Sequence, residues 1–287
     1  MAVAADGATL AGTLLLPVDP LGGVLFLNGS GPLDRDSNLD GQGLNIANTF
    51  AEALADAGWA SLRFDKRGVG ASSGNAVTGG FDDETTDAAA ALEHLRTEVA
   101  APTIVVGHSV GGTIAIRLAA RHPIDGVVLL ATPAQPLRDV SRWQTDRIAA
   151  TLPGPSWLAP PLFKAAQRRG WRAIDRSTGD SIRGVFRRHP ARWFREALAY
   201  DPAPDLATIT CPVLAVTGRK DLQVDHADVA TIGTTVTGPF RGETPSELTH
   251  LLRSEPDKAG IMTYKRQMKR PVDSTLVEDV VAWIVDH

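Results

Sequence analysis

The stretch TIVVGHSVGGTIAIRLAA, residues 103–120, decides the fold. An apolar, β-branched run stops at Gly107 and a helix-like run resumes at Thr113, with GHSVGG between them. Residues 103–106 have the length and side chains of a buried strand, and 110–121 have a helical pattern. Gly107-His108-Ser109-Val110-Gly111 thus fits G-x-S-x-G in the strand–turn–helix setting that the motif needs. A sharp turn there strains the serine backbone and lifts the hydroxyl out of the top of a sheet. The glycines remove side chains that would strike the neighbouring elements. The helix that follows aims unpaired N–H groups at the place where negative charge would develop. Ser109 is therefore the candidate nucleophile, and His108, pointing away on the same turn, is read as structural.

Outward from this elbow, short apolar runs bounded by glycine and proline alternate with helical patterns. Strands are expected at 9–16, 24–27, 60–64, 103–106, 127–130 and 212–216, and helices at 45–57, 83–98, 110–121 and 276–285. In the second helix Ala88, Ala91, Leu92 and Leu95 share one face. This alternation predicts an α/β class with a mostly parallel sheet covered on both faces. The first two strands flank VDPLGG, which suits an antiparallel start.

Residues 137–201 break the rhythm. They hold 13 of the 29 Lys and Arg, six acidic residues and four of the six Trp, leaving this segment at +7 in a chain of net charge −4. No strand is expected there, and Ile182, Val185 and Phe186 make a helical stripe with Arg183, Arg187 and Arg188 elsewhere on that helix. The expected organisation is a core of 1–136 and 202–287 with a helical cap (lid) insertion at 137–201. Trp143, Trp157, Trp171 and Trp193 are its pocket-lining candidates.

The bulk numbers exclude other classes. A net charge of −4 gives no reason to expect nucleic acid. The single cysteine, Cys211, leaves no internal disulfide and no Cys-rich metal site. GVGASSG places its third glycine, Gly74, one position late for a dinucleotide loop, and no H-E-x-x-H occurs, so neither cofactor nor metal is expected. No run of about 18 apolar residues predicts a transmembrane segment. The first residues lack a basic n-region, so a cytoplasmic location is expected. Asn28-Gly29-Ser30 matches a glycosylation acceptor and is read as coincidence. The sequence leaves a homodimer open.

A serine nucleophile needs a base, and the base an orienting acid. In doubly wound hydrolases the acid precedes the histidine in the chain. Asp221 stands just past the strand CPVLAVTG, at a carboxyl end where open α/β sheets build their sites. His250, in ELTHLLR, lies in the last long loop before the C-terminal helix. His250 is preferred over His226, and Asp221 over Asp225. His94, His122, His189 and His287 are read as packed, solvated or frayed. The N–H of Val110, next after the nucleophile, is one expected donor to a tetrahedral oxyanion.

With these residues in place, the chain resembles the α/β-hydrolase superfamily, and more closely its bacterial esterase and serine-aminopeptidase-like branch. The resemblance rests on GSGPLDRD at 29–36, DKRGVGAS at 65–72 and GRKDLQV at 218–224. It runs over nearly the whole chain and is weakest at 137–201. It implies the α/β-hydrolase fold, a triad of Ser109, Asp221 and His250, and a second oxyanion donor at the N–H of Ser30, with Gly29 letting backbone approach the substrate. The loop departs from the branch's usual His-Gly start, having Asn28-Gly29 instead. Asp34-Arg35-Asp36 is read as a local salt-bridged knot. Asp65-Lys66-Arg67-Gly68 is read as scaffold tying two loops together.

The expected activity is hydrolysis of a carboxylic ester of a small-molecule acyl substrate through an acyl-enzyme, with Trp143, Trp193 and Gly29 as substrate contacts. A thioesterase, an aminopeptidase-type amidase, an acyltransferase or perhydrolase, and a binding module without turnover are the alternatives. The arginines of 137–201 are read first as the solvated faces of amphipathic helices; an electropositive, Trp-lined mouth that selects an anionic acyl group and a membrane-surface face are the alternatives.

Overall fold

A computed structural model describes residues 1–39, 42–151, 159–184 and 188–287. Strands β1 (Ala2–Ala5) and β2 (Ala8–Leu15) form a hairpin, followed by β3 (Gly23–Leu27), α1 (Ile46–Asp56), β4 (Ala60–Phe64) and α2 (Phe81–Glu98). Next come β5 (Thr103–His108), α3 (Val110–Ala119), β6 (Gly126–Leu130), α4 (Leu137–Ala149), α5 (Ala159–Arg176), β7 (Ser181–Arg183), β8 (Arg188–Pro190) and α6 (Ala191–Ala199). The chain closes with α7 (Ala203–Leu206), β9 (Val213–Val216), α8 (Asp228–Thr235), β10 (Phe240–Glu243), α9 (Tyr264–Gln267) and α10 (Ser274–Val285).

Eight strands form one sheet in the order β1-β2-β4-β3-β5-β6-β9-β10. From β4 to β10 every pairing is parallel. Strands β3, β4, β5, β6 and β9 are buried along their whole length, which explains why they read as continuous apolar runs. Side chains alternate between two cores. Leu25, Leu27, Val105, Val127 and Leu129 face Leu92 and Leu95 of α2 and Ile114 of α3. Val24, Phe26, Ile104, Val106 and Val128 face Phe50 of α1 and Val280 and Trp283 of α10. Burying each such large side chain stabilises the fold by about 1.5–3 kcal/mol, so both helical layers are held by the pleat.

The sheet does begin antiparallel, but with a different partner from the one the VDPLGG turn favours. β2 pairs β4, with Gly12 opposite Phe64 and Leu14 opposite Leu62. Both edges of β3 are occupied by parallel neighbours, β4 and β5, so β2 has no ladder to join there. The segment after β6 also departs from the all-helical reading. Ile182 and Arg183 lie on β7, which pairs antiparallel with β8 and places Ile182 opposite His189 and Arg183 opposite Arg188. The rest of the expected stripe, Val185, Phe186 and Arg187, lies outside the described residues, as does Trp157.

Helix α6 is tied to the N-terminus of α2. Arg192 donates to both carboxylate oxygens of Asp83 at 3.0 Å, and Glu196 accepts from the Asp82 N–H at 3.0 Å. An acidic side chain on unpaired helix N–H groups is well placed, because the first turn carries the positive end of the helix dipole.

Candidate active site

Ser109 stands between β5 and α3 at φ 54° and ψ −122°, a conformation L side chains rarely adopt. Its N–H donates to the Leu130 carbonyl at 2.8 Å, which pins the turn to β6. The glycines around it are demanded by backbone. A Cβ on Gly107 would strike the backbone of Gly111 and Gly112, and one on Gly111 would strike the Leu27 carbonyl. The Ser109 Oγ has no hydrogen-bond partner among the described residues.

Asp221 and His250 are brought together by two loops zipped side by side. The Arg219 N–H donates to the Pro245 carbonyl at 2.9 Å and the Lys220 N–H to the Leu248 carbonyl at 3.1 Å. Gly218 lies so close to Leu248 that a Cβ there would overlap its carbonyl. His250 then occupies a tight turn in which Thr249 N–H donates to Arg253 O and Leu252 takes φ 58°. The result is an Nδ1–H of His250 donated to Asp221 Oδ2 at 2.8 Å, both side chains buried. Asp221 Oδ1 accepts the N–H groups of Gln223 at 2.6 Å and Val224 at 2.9 Å, which fix the carboxylate in one orientation. In the neutral imidazole this hydrogen bond leaves the lone pair on Nε2.

His226 and Asp225 sit elsewhere. They face each other at 3.5 Å on a surface turn before α8, the His226 side chain 43% exposed.

His108 packs its ring 5.1 Å from that of His250 and donates Nε2–H to the His250 carbonyl at 2.9 Å. Burial, reinforced by the neighbouring His250, pushes the His108 pKa down to about 3, so this imidazole stays neutral and serves as a fixed donor. The unfolded chain protonates His108 near its ordinary value of 6.5 while the folded chain does not, so folding stability falls as pH drops below that value. His108→Gln is expected to flatten the pH dependence of the unfolding free energy between pH 6 and 5. The removed slope approaches about 1.4 kcal/mol per pH unit, readable from urea melts.

The loop after β3 supplies the other half of the site. Asn28, buried where the usual pattern has His, uses both ends of its amide. Nδ2–H donates to the Asp34 carbonyl at 2.7 Å, and Oδ1 accepts from the Ser37 hydroxyl. An asparagine therefore clamps this loop without an imidazole. The charges of Asp34-Arg35-Asp36 do not pair with one another as a local knot would require. Arg35 reaches Asp65, donating Nε–H at 3.0 Å and Nη2–H at 2.7 Å, and Asp36 receives the buried Arg63 at 2.7 Å. Asp34 instead caps its own turn, accepting from the N–H groups of Asp36 and Asn38. Gly29 lies behind the elbow, where a Cβ would stand 3.4 Å from Ser109 Cβ. Lys66, on the loop after β4, donates to the Gly29 carbonyl at 2.6 Å and to Glu84 at 3.0 Å.

A cavity of about 580 Å³ opens over Ser109. Ser30, Val110, Gln223 and Val224 line it beside Ser109, and Leu137, Val140, Trp171, Trp193, Phe194 and Leu198 form its apolar wall. Neither the Ser30 N–H nor the Val110 N–H has an acceptor among the described residues. Of the sequence candidates, Trp171 and Trp193 are on this wall, and Trp193 donates Nε1–H to Glu84 at 3.0 Å. Trp143 is not; its ring lies 5.4 Å from the guanidinium of Arg147, away from the cavity. Gly29 backs the serine without lining the cavity. Glu84, Gln144, Phe194 and His189 line it and carry no motif by which the sequence could single them out. Among the described residues no group of three or more His, Cys, Asp or Glu could hold a metal, and no helix is long and apolar enough to cross a membrane.

The family model described as Serine aminopeptidase, S33 matches residues 43–257 of the 287. The chain belongs to this family. Esterase EstD of Thermotoga maritima is 25% identical over 281 residues, covering 96% of this S33 chain, which spans 65% of the length of that curated relative. Est1E of Butyrivibrio proteoclasticus, solved with ferulic acid bound, superposes with a TM-score of 0.66 at 17% identity, covering 100% of this chain and 98% of that one. The mouse alpha/beta hydrolase domain-containing protein 10 gives 0.61 at 20% identity, with 97% and 93% covered. The S33 chain therefore has the α/β-hydrolase fold.

Proposed function

We propose that this S33-family protein is a serine esterase acting on neutral, apolar acyl esters. The observations that carry the reading are the buried His250–Asp221 pair, whose imidazole packs against His108 next to the elbow, and a strained serine that lines a cavity. The Ser109 hydroxyl first rotates about Cα–Cβ toward Nε2, a fast side-chain motion. Nε2 takes its proton as Oγ attacks the ester carbonyl, and Asp221 stabilises the imidazolium. The carbonyl oxygen, now negative, is received by the N–H groups of Ser30 and Val110. Collapse breaks the bond to the alcohol oxygen, which takes the proton from His250. Water then repeats the sequence on the acyl-enzyme and releases the acid and Ser109. In this reading 137–201 is a cap whose helices α4, α5 and α6 close the cavity from above.

An aminopeptidase must receive the ammonium of a peptide N-terminus, which calls for a free carboxylate in the pocket. Glu84 is the one carboxylate among the described lining residues, and it is already engaged by Lys66 and Trp193. Of the lining cations, Lys66 is neutralised by Glu84 and Arg67 by Asp87, while Arg188 donates to the uncharged Ser181 hydroxyl. The apolar wall of Leu137, Val140, Trp171, Trp193, Phe194 and Leu198 supports an apolar acyl group. Kinetics on p-nitrophenyl esters of increasing chain length, run beside aminoacyl p-nitroanilides, test the assignment. The esters should be hydrolysed and the anilides left intact; preferential cleavage of the anilides would overturn it.

A further inference from the structure

Lys66 is buried, yet its ammonium is not consumed in an isolated ion pair. One proton goes to the Gly29 carbonyl at 2.6 Å and another to Glu84 Oε2 at 3.0 Å, while Glu84 Oε1 accepts Nε1–H of Trp193 at 3.0 Å. A single ammonium thus joins the loop after β3, helix α2 and, through one carboxylate, helix α6. A largely buried cation holds such partners firmly, because they replace most of its water.

The Gly29 carbonyl and the Ser30 N–H belong to one peptide unit. That unit is planar and trans, so the two groups point in opposite directions. Whatever fixes the carbonyl also fixes the direction of the N–H. The peptide needs fixing, because glycines stand on both sides of Ser30 and Gly31 already takes φ 97°. Asn28 clamps the start of the loop, and Arg35 anchors its far side to Asp65. Lys66 is the side chain that holds the peptide between them.

We infer that Lys66 is a positioning residue for the oxyanion site, holding the Gly29–Ser30 peptide so that the Ser30 N–H faces the reacting carbonyl. Glu84 and Trp193 brace it, so the cavity wall that receives the acyl group also steadies the donor. The inference rests on the reading of Ser109 as nucleophile. It gives Lys66, which also lines the cavity, a role exerted through the peptide it holds rather than on the reacting atoms.

The test compares two ketone inhibitors. A trifluoromethyl ketone adds to the serine and places an oxyanion in the donor site, whereas the matching methyl ketone binds as an unreacted carbonyl. Lys66→Met keeps length and bulk but removes the ammonium. It should lower kcat by about 10²–10³-fold with little change in KM. It should weaken the trifluoromethyl ketone by a similar factor and leave the methyl ketone unchanged. Lys66→Arg should recover a large part of the loss. Trp193→Phe, which keeps a ring in the wall but removes the N–H, should shift the ratio of the two affinities the same way by less. An unchanged ratio in Lys66→Met, or equal weakening of both ketones, overturns the inference; if Lys66→Met does not fold, the ratio in Trp193→Phe decides it. Fluorophosphonate labelling of the wild type separates the two readings. A labelled, ester-hydrolysing protein with an unchanged ratio loses only the role of Lys66, while an unlabelled one loses the nucleophile as well.

Discussion

Ser109→Ala is expected to lower kcat on p-nitrophenyl esters by about 10⁴–10⁶-fold and to leave the thermal midpoint close to that of the wild type. The two outcomes separate because the hydroxyl supports nothing else: it makes no hydrogen bond among the described residues, while the turn is held by the Ser109 N–H on Leu130 O. Alanine at φ 54° bears the same backbone strain as serine, so the elbow survives the change. Residual rate over water would come from the oxyanion donors alone. Near-normal turnover in a folded Ser109→Ala protein would remove the nucleophile from the scheme.

His250→Ala should be nearly as damaging, with kcat reduced by about 10⁴-fold or more, whereas His226→Ala should leave activity unchanged and stability within about 0.5 kcal/mol. The contrast follows from environment. His250 is buried against a carboxylate that also accepts two backbone N–H groups, while His226 lies on a surface turn beside Asp225. Asp221→Asn preserves the shape of the pair but replaces an acceptor-only group by one that can donate. It should favour the wrong imidazole tautomer and cost about 10⁴-fold in kcat at similar stability. Paired kinetics and thermal melts on the three variants check the assignment; a severe His226→Ala and a mild His250→Ala would reverse it.

Much of this molecule is legible from local pattern. The elbow at 107–111, the apolar strands and the helical face of Ala88, Ala91, Leu92 and Leu95 follow from periodicity and glycine placement, because each is decided by residues a few positions apart. That was enough to anticipate a parallel, two-faced sheet with a serine at a strand end. The short strand β10 was missed because its residues FRGE are largely exposed and carry no apolar run. The β7–β8 hairpin was missed because three-residue strands leave no period to read.

The sequence by itself determined the longer strands and helices of the core, the strand–turn–helix elbow at Ser109 and the charge imbalance of 137–201, since these depend on backbone preference and composition. Only the tertiary structure decided which partner each polar group takes. Arg35 bypasses its acidic neighbours for Asp65, β2 passes over β3 for β4, and Trp193 rather than Trp143 reaches the cavity. Hydrogen bonds and ion pairs act over a few ångströms of space, and the distance along the chain that separates Lys66 from Gly29, or Asp221 from His250, says nothing about the space between them until the sheet has folded.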